Sequence, residues 1–471
     1  MKKLLLMFPN QSWFKRDLAT SHNVPPTSLC QLAAMVRDLV KVRIVDCHFE
    51  DWSQERFREY IATERPDYVG ISVLTTEYGS TLDVTAAMVK AVDPAIVTIA
   101  GGVHATTRSE QVMRNPDVDY LCRGEGEELL RELLLFLAGA GPRPASGLGY
   151  REDGRVVIQD RRVVEDINIL PRPAYDLVDL PRYLNTDARY GPTRFPRLPG
   201  FSLVASRGCP YDCSFCQVDM IAGRKVRALE PLRIADELGF LIERYGIRSV
   251  VFQDDNLFAL KKVAKPLMRE MIRREMNLQW ICPSFALFVM DDEMLDLMQA
   301  SGCVGVNVAI ESGSPRVLKD IVRKPIKDLN RVPELIARLK ARDIWVLANF
   351  IVGFPGETWE EIRQTIHFAE HCGADYVKLF FAVPLAGTKL YDMARAMNAL
   401  DVHEDDLKVN WRHSQLRSEE WTPQDLSILR VYEWDRINFA PDRIDRVAKI
   451  WGMSREQLQE VRRQTRESLV F

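Results

Sequence analysis

Twice along the chain, short apolar runs alternate with stretches whose apolar residues recur at helical spacing. No other feature constrains the fold as much. In residues 1–140 strands are predicted at Lys3–Phe8, Val42–Asp46, Tyr68–Ser72, Ile96–Gly101 and Tyr120–Arg123. Between them Leu29, Leu32, Ala33, Val36 and Leu39, and then Leu82, Ala86, Val89 and Val92, repeat with the helical period. Such α/β units build a parallel, doubly wound sheet of the flavodoxin-like kind, which binds ligands at the carboxyl ends of its strands. From residue 201 to 400 the alternation resumes, with strands predicted at Leu203–Ser206, Ser249–Phe252, Gln279–Cys282, Gly305–Ile310, Trp345–Val352 and Tyr376–Phe381. Six units fall short of the eight, over roughly 250 residues, that close a barrel. An open, partial (β/α)6 TIM-like barrel is expected.

The remaining segments read differently. Residues 141–200 lose the helical period: Leu148–Arg151 and Val156–Gln159 flank Asp153-Gly154 as a small hairpin. Prolines 171, 173, 181, 192, 196 and 199 then mark an extended linker. Residues 401–471 are predicted to form a small α-helical region: Thr422–Asn438 carries a broad apolar face, and Ser454-x-x-Gln457 opens a polar, Arg-rich last helix.

At 471 residues the chain has room for two or three domains. A net charge of -3 supplies no general attraction to nucleic acid or to an anionic membrane. No window approaches the roughly 20 apolar residues of a membrane span. The start Met-Lys-Lys-Leu-Leu-Leu-Met-Phe-Pro is basic then apolar, but too short for a secretory leader. With nine cysteines, it points to a reducing, cytoplasmic setting.

Three of those cysteines stand together in Cys209-Pro-Tyr-Asp-Cys213-Ser-Phe-Cys216, just after the apolar run Phe201–Ala205 and the turn Ser206-Arg207-Gly208. They therefore sit on a loop leaving a strand end. Zinc sites show a second ligand pair, which is missing here, and disulfides need an oxidising compartment. Three close thiolates suit a 4Fe–4S cluster, with one iron left open for a small molecule.

The C-x3-C-x2-C spacing, with Phe215 before its last cysteine, resembles the radical S-adenosylmethionine family. That resemblance implies that Cys209, Cys213 and Cys216 ligate the cluster and that S-adenosylmethionine chelates the open iron. Further segments match at predicted strand ends: Gln253-Asp254-Asp255-Asn256, Ala309-Ile310-Glu311-Ser312-Gly313, Asn349 through Gly353-Phe354-Pro355-Gly356-Glu357, and Pro384 through Thr388. By the same resemblance Asp254 or Asp255, next to Asn256, and Asn349 grip the methionyl end, and Glu311 and Ser312 hold the ribose. Gly353, Phe354 and Pro355 line the adenine with the Phe215 backbone. An ammonium wants carboxylates, and ribose hydroxyls want charged acceptors. Glu357 reads as structural, leading into a Thr358-x-x-Glu361 capping box.

Three loops follow predicted strands in the first block. They are Ser72–Gly79 with Thr75, Thr76 and Glu77, then Gly101-Gly102-Val103-His104-Ala105-Thr106, then Gly124-Glu125-Gly126-Glu127. Paired glycines let a backbone approach a bulky ligand, and Thr107-x-x-Glu110 reads as a capping box behind the second loop. Gly-Gly-x-His-Ala-Thr, Asn115-Pro-Asp-Val-Asp-Tyr and Arg123-Gly-Glu-Gly-Glu resemble the cobalamin-binding domain fused to many radical S-adenosylmethionine enzymes. His104 is then expected at the cofactor's periphery. Asp46-Cys47-His48 looks like the start of a cobalt-ligating D-x-H-x-x-G motif, but Asp51 replaces the glycine and the motif ends the second strand. His48 is read as a loop histidine.

Cys282, Cys303 and Cys372 stand singly and are read as buried thiols, Cys282 being retained as a candidate active-site group. Docking is the favoured reading of Glu433, Asp435, Arg436 and Asn438 over substrate contact, and a solvated face that of the arginines near 462–466.

Together the resemblances imply a cobalamin-dependent radical methyltransferase. An external flavodoxin- or ferredoxin-like donor reduces the cluster. A 5′-deoxyadenosyl radical then activates a small-molecule substrate, and methylcobalamin donates the methyl group. The acceptor is an unactivated carbon, or a phosphinate phosphorus, of a natural-product precursor. The alternatives are a ring-forming or ring-rearranging enzyme with the same cofactors, a transfer RNA methylthiotransferase, and a non-catalytic cobalamin sensor. The sensor leaves the three clustered thiols without a role. The methylthiotransferase requires a basic RNA module, which is not evident, and cluster ligands that Cys30, Cys47 and Cys122 do not pattern as.

Overall fold

The computed structural model describes residues 1–13, 24–73, 79–186, 195–403 and 413–470. The chain divides into two compact units, Met1–Arg189 with Met220–Gly223, and Tyr190–Asp219 with Arg224–Phe471.

In the first unit, β1 (Lys3–Phe8), β2 (Lys41–Asp46), β3 (Tyr68–Ser72), β4 (Val97–Gly101) and β5 (Tyr120–Cys122) are parallel. Their order is β2-β1-β3-β4-β5, the flavodoxin-like arrangement. The hairpin β6 (Leu148–Glu152) and β7 (Arg155–Ile158) extends this sheet antiparallel from β5, so it belongs to the sheet rather than to a linker. Asp153 and Gly154 both take positive φ, 50° and 76°, as a two-residue turn matching the twist of its strands requires. Side-chain alternation splits the core: Leu5, Met7 and Cys47 pack on one face, Leu4, Leu6 and Cys122 on the other.

The second unit holds six parallel strands: β8 (Gly200–Leu203), then, beyond the small ribbon of β9 (Ser206–Arg207) and β10 (Arg227–Ala228), β11 (Ser249–Phe252), β12 (Gln279–Phe285), β13 (Cys303–Glu311), β14 (Trp345–Val352) and β15 (Tyr376–Phe381). Their order follows the chain, β8-β11-β12-β13-β14-β15, as successive right-handed crossovers produce in an open barrel. One face packs on the crossover helices: Phe350 meets Phe368 of the helix Trp359–His371, and Trp280 stacks on Phe258. The opposite face carries Asn307, Asn349 and Lys378, brought into neighbouring register by β13, β14 and β15.

Helices after residue 420 close the edge of β15. The Asn438 side chain, on Pro423–Asn438, accepts from the Val377 N–H at 2.7 Å and donates to the Val377 carbonyl at 2.9 Å, satisfying an otherwise open strand edge. Asp435 pairs with Arg462 at 2.6 Å, and Arg436 with Glu433 and Glu370. These polar residues dock the helix, as favoured above. The expected apolar face is narrower than its sequence suggests, since Ile428 and Tyr432 are 63% and 64% exposed. Among the described residues no helix is long and apolar enough to cross a membrane.

Candidate functional site

Cys209, Cys213 and Cys216 lie on the loop after β9, each partly buried. The loop is fixed from both ends. Asp254, fully buried, accepts at Oδ1 from the Ala205 N–H at 2.9 Å, the Ser206 N–H, and the Ser206 hydroxyl at 2.6 Å. Asp212, between two of the thiols, pairs with Arg224, with Arg323 at 2.8 Å and with Lys389 at 2.5 Å. Those cations, Lys389 foremost, hold its carboxyl down at about 2. Asp255 takes the Gly208 N–H, and burial raises its carboxyl. The Asn256 amide donates to Cys209 Sγ at 3.7 Å.

One charged pair stands against the thiols. Glu311 sits at a bulge in β13 with φ 74°, a left-handed conformation costing about 1–3 kcal/mol for a residue with a side chain. Its carboxylate meets Lys324 Nζ at 3.0 Å, both side chains nearly buried. Burial pulls the Lys324 ammonium down, but Glu311 and the thiols of Cys213 and Cys209 outweigh it and hold it above its usual value. Burial lifts Cys213 to about 11 and also raises Cys216, with Lys324 opposing both. At neutral pH these free thiols keep their protons until a metal displaces them.

The donor set tests the iron–sulfur reading. Among the described residues no three His, Cys, Asp or Glu groups are placed to share a single metal ion. Separated thiols fit a cubane, which spreads them over three irons, better than they fit zinc, which gathers its ligands on one centre. The N–H···S contact from Asn256 and the nearby Lys324 suit an anionic sulfur cluster.

Other residues from the sequence reading are placed differently. Ser312 is fully buried and its hydroxyl is occupied by Thr365 Oγ1 at 2.9 Å and the Ser314 N–H at 3.1 Å. Gly353 has φ 82°, and Leu426 Cδ1 stands 2.5 Å from where a Cβ would sit, so this glycine makes room for packing. Phe354 and Pro355 are buried, and Phe354 meets the Phe215 ring at 6.4 Å. Glu357 accepts the Gly353 and Phe354 N–H groups at 2.7 and 3.0 Å, a structural role, and burial raises it to about 8. The Thr358/Glu361 capping box forms. Asn349 is partly buried with its Oδ1 unpaired among the described residues. Cys282 is fully buried, its Sγ turned to the Ser284 carbonyl at 3.3 Å, and burial lifts its thiol far above the usual range. Its register partner, Val306, shows why: Cys282 shares the helix-packed face with Trp280 and is no active-site group.

In the first unit three strand-end loops converge. A Cβ on Gly102 (φ 87°) would stand 2.7 Å from the Val73 carbonyl and 2.9 Å from Ser72 Oγ. One on Gly124 (φ 99°) would stand 2.1 Å from the Arg162 carbonyl. The Gly124 N–H donates to Thr106 Oγ1 at 3.0 Å, and Glu125 accepts the Val164 N–H at 2.7 Å. Glycine is thus required at 102 for the second loop to reach Val73, and at 124 for the third to reach Arg162 beyond β7. At Gly101, by contrast, a Cβ would meet nothing within 4 Å. His104 is 4% exposed with Nδ1 unpaired among the described residues, and burial, with Arg108 adding to it, lowers it to about 4. Open backbone beside a neutral, unsatisfied imidazole fits a bulky neutral-faced ligand such as a corrin.

Ala105 is fully buried in the core, Gly126 precedes the helix Glu127–Leu137, and Glu127 is buried in its first turn. The Thr107/Glu110 capping box does not form: the helix Gly102–Thr107 has already begun, and the Thr107 hydroxyl donates back to the Val103 carbonyl at 2.9 Å. Thr75, Thr76 and Glu77 lie outside the described residues. His48 is a half-buried loop residue with Nδ1 3.1 Å from Asn10 Oδ1, at the end of edge strand β2.

Sequence reasoning missed Asp212, Lys324 and Lys378. Asp212 was signalled by its place between ligating cysteines, and Lys378 by being the single charge in Tyr-Val-Lys-Leu-Phe-Phe.

Comparison with known proteins agrees with this geometry. The radical SAM superfamily pattern matches residues 203–369, and the B12 binding domain pattern matches residues 19–134. An uncharacterized methyltransferase of Pyrococcus horikoshii is 32% identical, covering 88% of this chain and 86% of the relative. The cytidylyl-2-hydroxyethylphosphonate methyltransferase of Streptomyces wedmorensis is 28% identical over 87% of this chain and 85% of its own. Among solved structures, the radical S-adenosylmethionine methyltransferase TsrM from Kitasatospora setae, with cobalamin and [4Fe-4S] cluster bound, shares the fold at TM-score 0.67 and 20% identity, covering 86% of this chain and 76% of that one. The chain is therefore an enzyme of the cobalamin-dependent radical S-adenosylmethionine family, whose cofactors are a 4Fe–4S cluster, S-adenosylmethionine and cobalamin.

Proposed function

We propose that this enzyme transfers a methyl group from methylcobalamin to an unactivated sp3 carbon, or a phosphinate phosphorus, of a small natural-product precursor. The reading rests above all on one combination. A single chain carries a three-thiol loop at the carboxyl end of a six-stranded parallel sheet and a flavodoxin-ordered sheet with backbone-lined strand ends. Relatives named as methyltransferases support it.

Bound in these sites, the cluster with S-adenosylmethionine supplies a hydrogen-abstracting radical and cobalamin supplies the methyl group. The chain's part is to bind and orient. Cys209, Cys213 and Cys216 would hold the cluster, with Asn256 donating toward one sulfur and Lys324 offsetting its negative charge. Asp255 and Asn349 would receive the methionyl ammonium, whereas Asp254 is engaged in shaping the loop. Glu311, steered by Lys324, would take the ribose hydroxyls. Ser312 has no such role, its hydroxyl being spent inside the fold. In the first unit Ser72, Gly101, Gly102, His104, Thr106 and Gly124 would border the corrin.

The methylthiotransferase reading loses ground. Cys47 and Cys122 pack on opposite faces of the first sheet and cannot meet at a second cluster.

The test is anaerobic reconstitution with iron, sulfide and cobalamin, then reduction with deuteromethyl-labelled S-adenosylmethionine and a panel of candidate acceptors. Expected are retained cobalt, 5′-deoxyadenosine, S-adenosylhomocysteine and a labelled product. A product formed with 5′-deoxyadenosine but without S-adenosylhomocysteine or label means ring formation or rearrangement instead. No retained cobalt and no 5′-deoxyadenosine end the reading altogether.

A further inference from the structure

Among the described residues, Lys378 is a lysine without a counterion in the interior of a sheet. It lies on β15 directly beside Asn349 of β14, and Asn349 in turn lies beside Ala309 of β13. This is the face turned away from the crossover helices. One step toward the strands' amino ends that face is closed: the Tyr376 hydroxyl accepts from the Trp434 indole at 2.8 Å, and Trp451 packs on its ring. Leu347 and Tyr376, the pair's neighbours on this same face, are 0% and 4% exposed, yet Lys378 and Asn349 keep partial exposure. Their side chains therefore open on space inside the barrel, above an apolar floor. Lys378 has no hydrogen-bond or ion-pair partner among the described residues, whereas Lys324, the other lysine of this interior, has Glu311. Asn349 Oδ1 and Asn307 Oδ1 on the same face are also unpaired.

An ammonium placed there costs free energy unless something pairs with it. Burial, its only perturbation, draws Lys378 down to about 8, so the charge persists at neutral pH at the protein's expense. A methionine in its place would fill the same volume without that cost. The arrangement makes sense if the missing partner arrives with a ligand. Lysine offers a compact point charge with three donors, suited to an oxyanion, and the neighbouring amide can turn to donate or accept.

We infer that Lys378 receives a carboxylate or phosphate oxygen of the methyl acceptor, with the Asn349 amide nitrogen donating to the same oxyanion while its Oδ1 stays available to the methionyl ammonium. The acceptor is then an anionic small molecule, held by that group against the floor of the barrel. This rests on the methyltransferase reading for the identity of the occupant.

The test uses wild-type holoenzyme and cyanate, a probe small enough to enter the barrel. It carbamylates neutral amines, and peptide mass spectrometry reads each lysine. Lys378 is expected to react at pH 7.5 several-fold faster than solvent-exposed lysines such as Lys41, because its amine is neutral more of the time. Inorganic phosphate or acetate at tens of millimolar should slow Lys378 several-fold and leave Lys41 unchanged. Stronger protection by phosphate marks a phosphorylated acceptor, and stronger protection by acetate a carboxylic one. Protection by neither anion, or no faster reaction at Lys378, overturns the proposal. So does full protection by S-adenosylmethionine alone together with a tenfold loss of its binding in Lys378→Met, which would assign the lysine to the methionyl carboxylate. Anion protection needs no turnover, so it can succeed where methyl transfer fails, and the two readings fall separately.

Discussion

The two units prepare their ligand sites by opposite means. In the first, strand-end loops approach through backbone: Gly102 and Gly124 leave no room for a Cβ, and the buried imidazole of His104 is kept neutral. In the second, the thiol loop is held by charge, with Asp212 gathering three cations and Glu311 facing Lys324. A large, nearly neutral macrocycle would be gripped by shape and close approach. An anionic cluster and a sulfonium zwitterion need placed charges, which a low-dielectric interior makes effective. Damage to one unit should therefore be steric and selective for cobalamin, and damage to the other electrostatic and selective for iron.

The largest expected effect is Cys213→Ala. Iron and acid-labile sulfide should fall to background in reconstituted protein while cobalamin content is unchanged, and a full cluster complement would contradict the ligand assignment. Next is Glu311→Gln, which strands a buried ammonium and should cost about 3–5 kcal/mol of unfolding free energy in denaturant titration of the metal-free protein. A smaller loss would mean that water reaches Lys324.

Gly124→Ala should cost about 1–3 kcal/mol, since its φ of 99° is strained for any side chain and the added methyl meets the Arg162 carbonyl. Gly101→Val sharpens the comparison: nothing among the described residues fills that space, so thermal stability should hold while cobalamin retention drops. Retention at wild-type level would move the corrin away from β4.

Last is Lys378→Met, whose effect is set by pH. A lysine whose folded value lies near 8, below its ordinary 10.5, binds fewer protons folded than unfolded between those values. Wild-type stability thus carries a penalty below pH 8 that fades as pH rises toward 10.5. The ligand-free variant should melt above wild type at pH 7, and the gap should narrow through that window. A constant gap would attribute it to packing.

Much of this architecture was legible in local sequence. Nine of the eleven parallel strands were placed within about two residues, because unbroken apolar runs framed by helical repeats have few other solutions. Of the two exceptions, β8 starts three residues before its expected position, since Gly200 and Phe201 pair with β11, and β12 runs three residues past Cys282, since Phe285 pairs with Val308 beyond a register shift. Capping boxes at Thr358 and Ser454 formed, while the one at Thr107 did not, because Gly102 had already started a helix. Side-chain roles were less legible. Cys282 and Asn349 both sit in strands, and only sheet register shows that the first faces helices and the second faces the barrel interior.

By itself the sequence determined the two strand–helix blocks, the thiol loop and hence the cofactors, since those depend on residue type and spacing within one segment. Which carboxylates are spent on the fold and which stay available, and that Lys378 lacks a partner among the described residues, only tertiary structure decided. Hydrogen bonds and ion pairs such as Asp254 to Ser206 or Glu311 to Lys324 join segments far apart or bent back on themselves, and no local pattern encodes them.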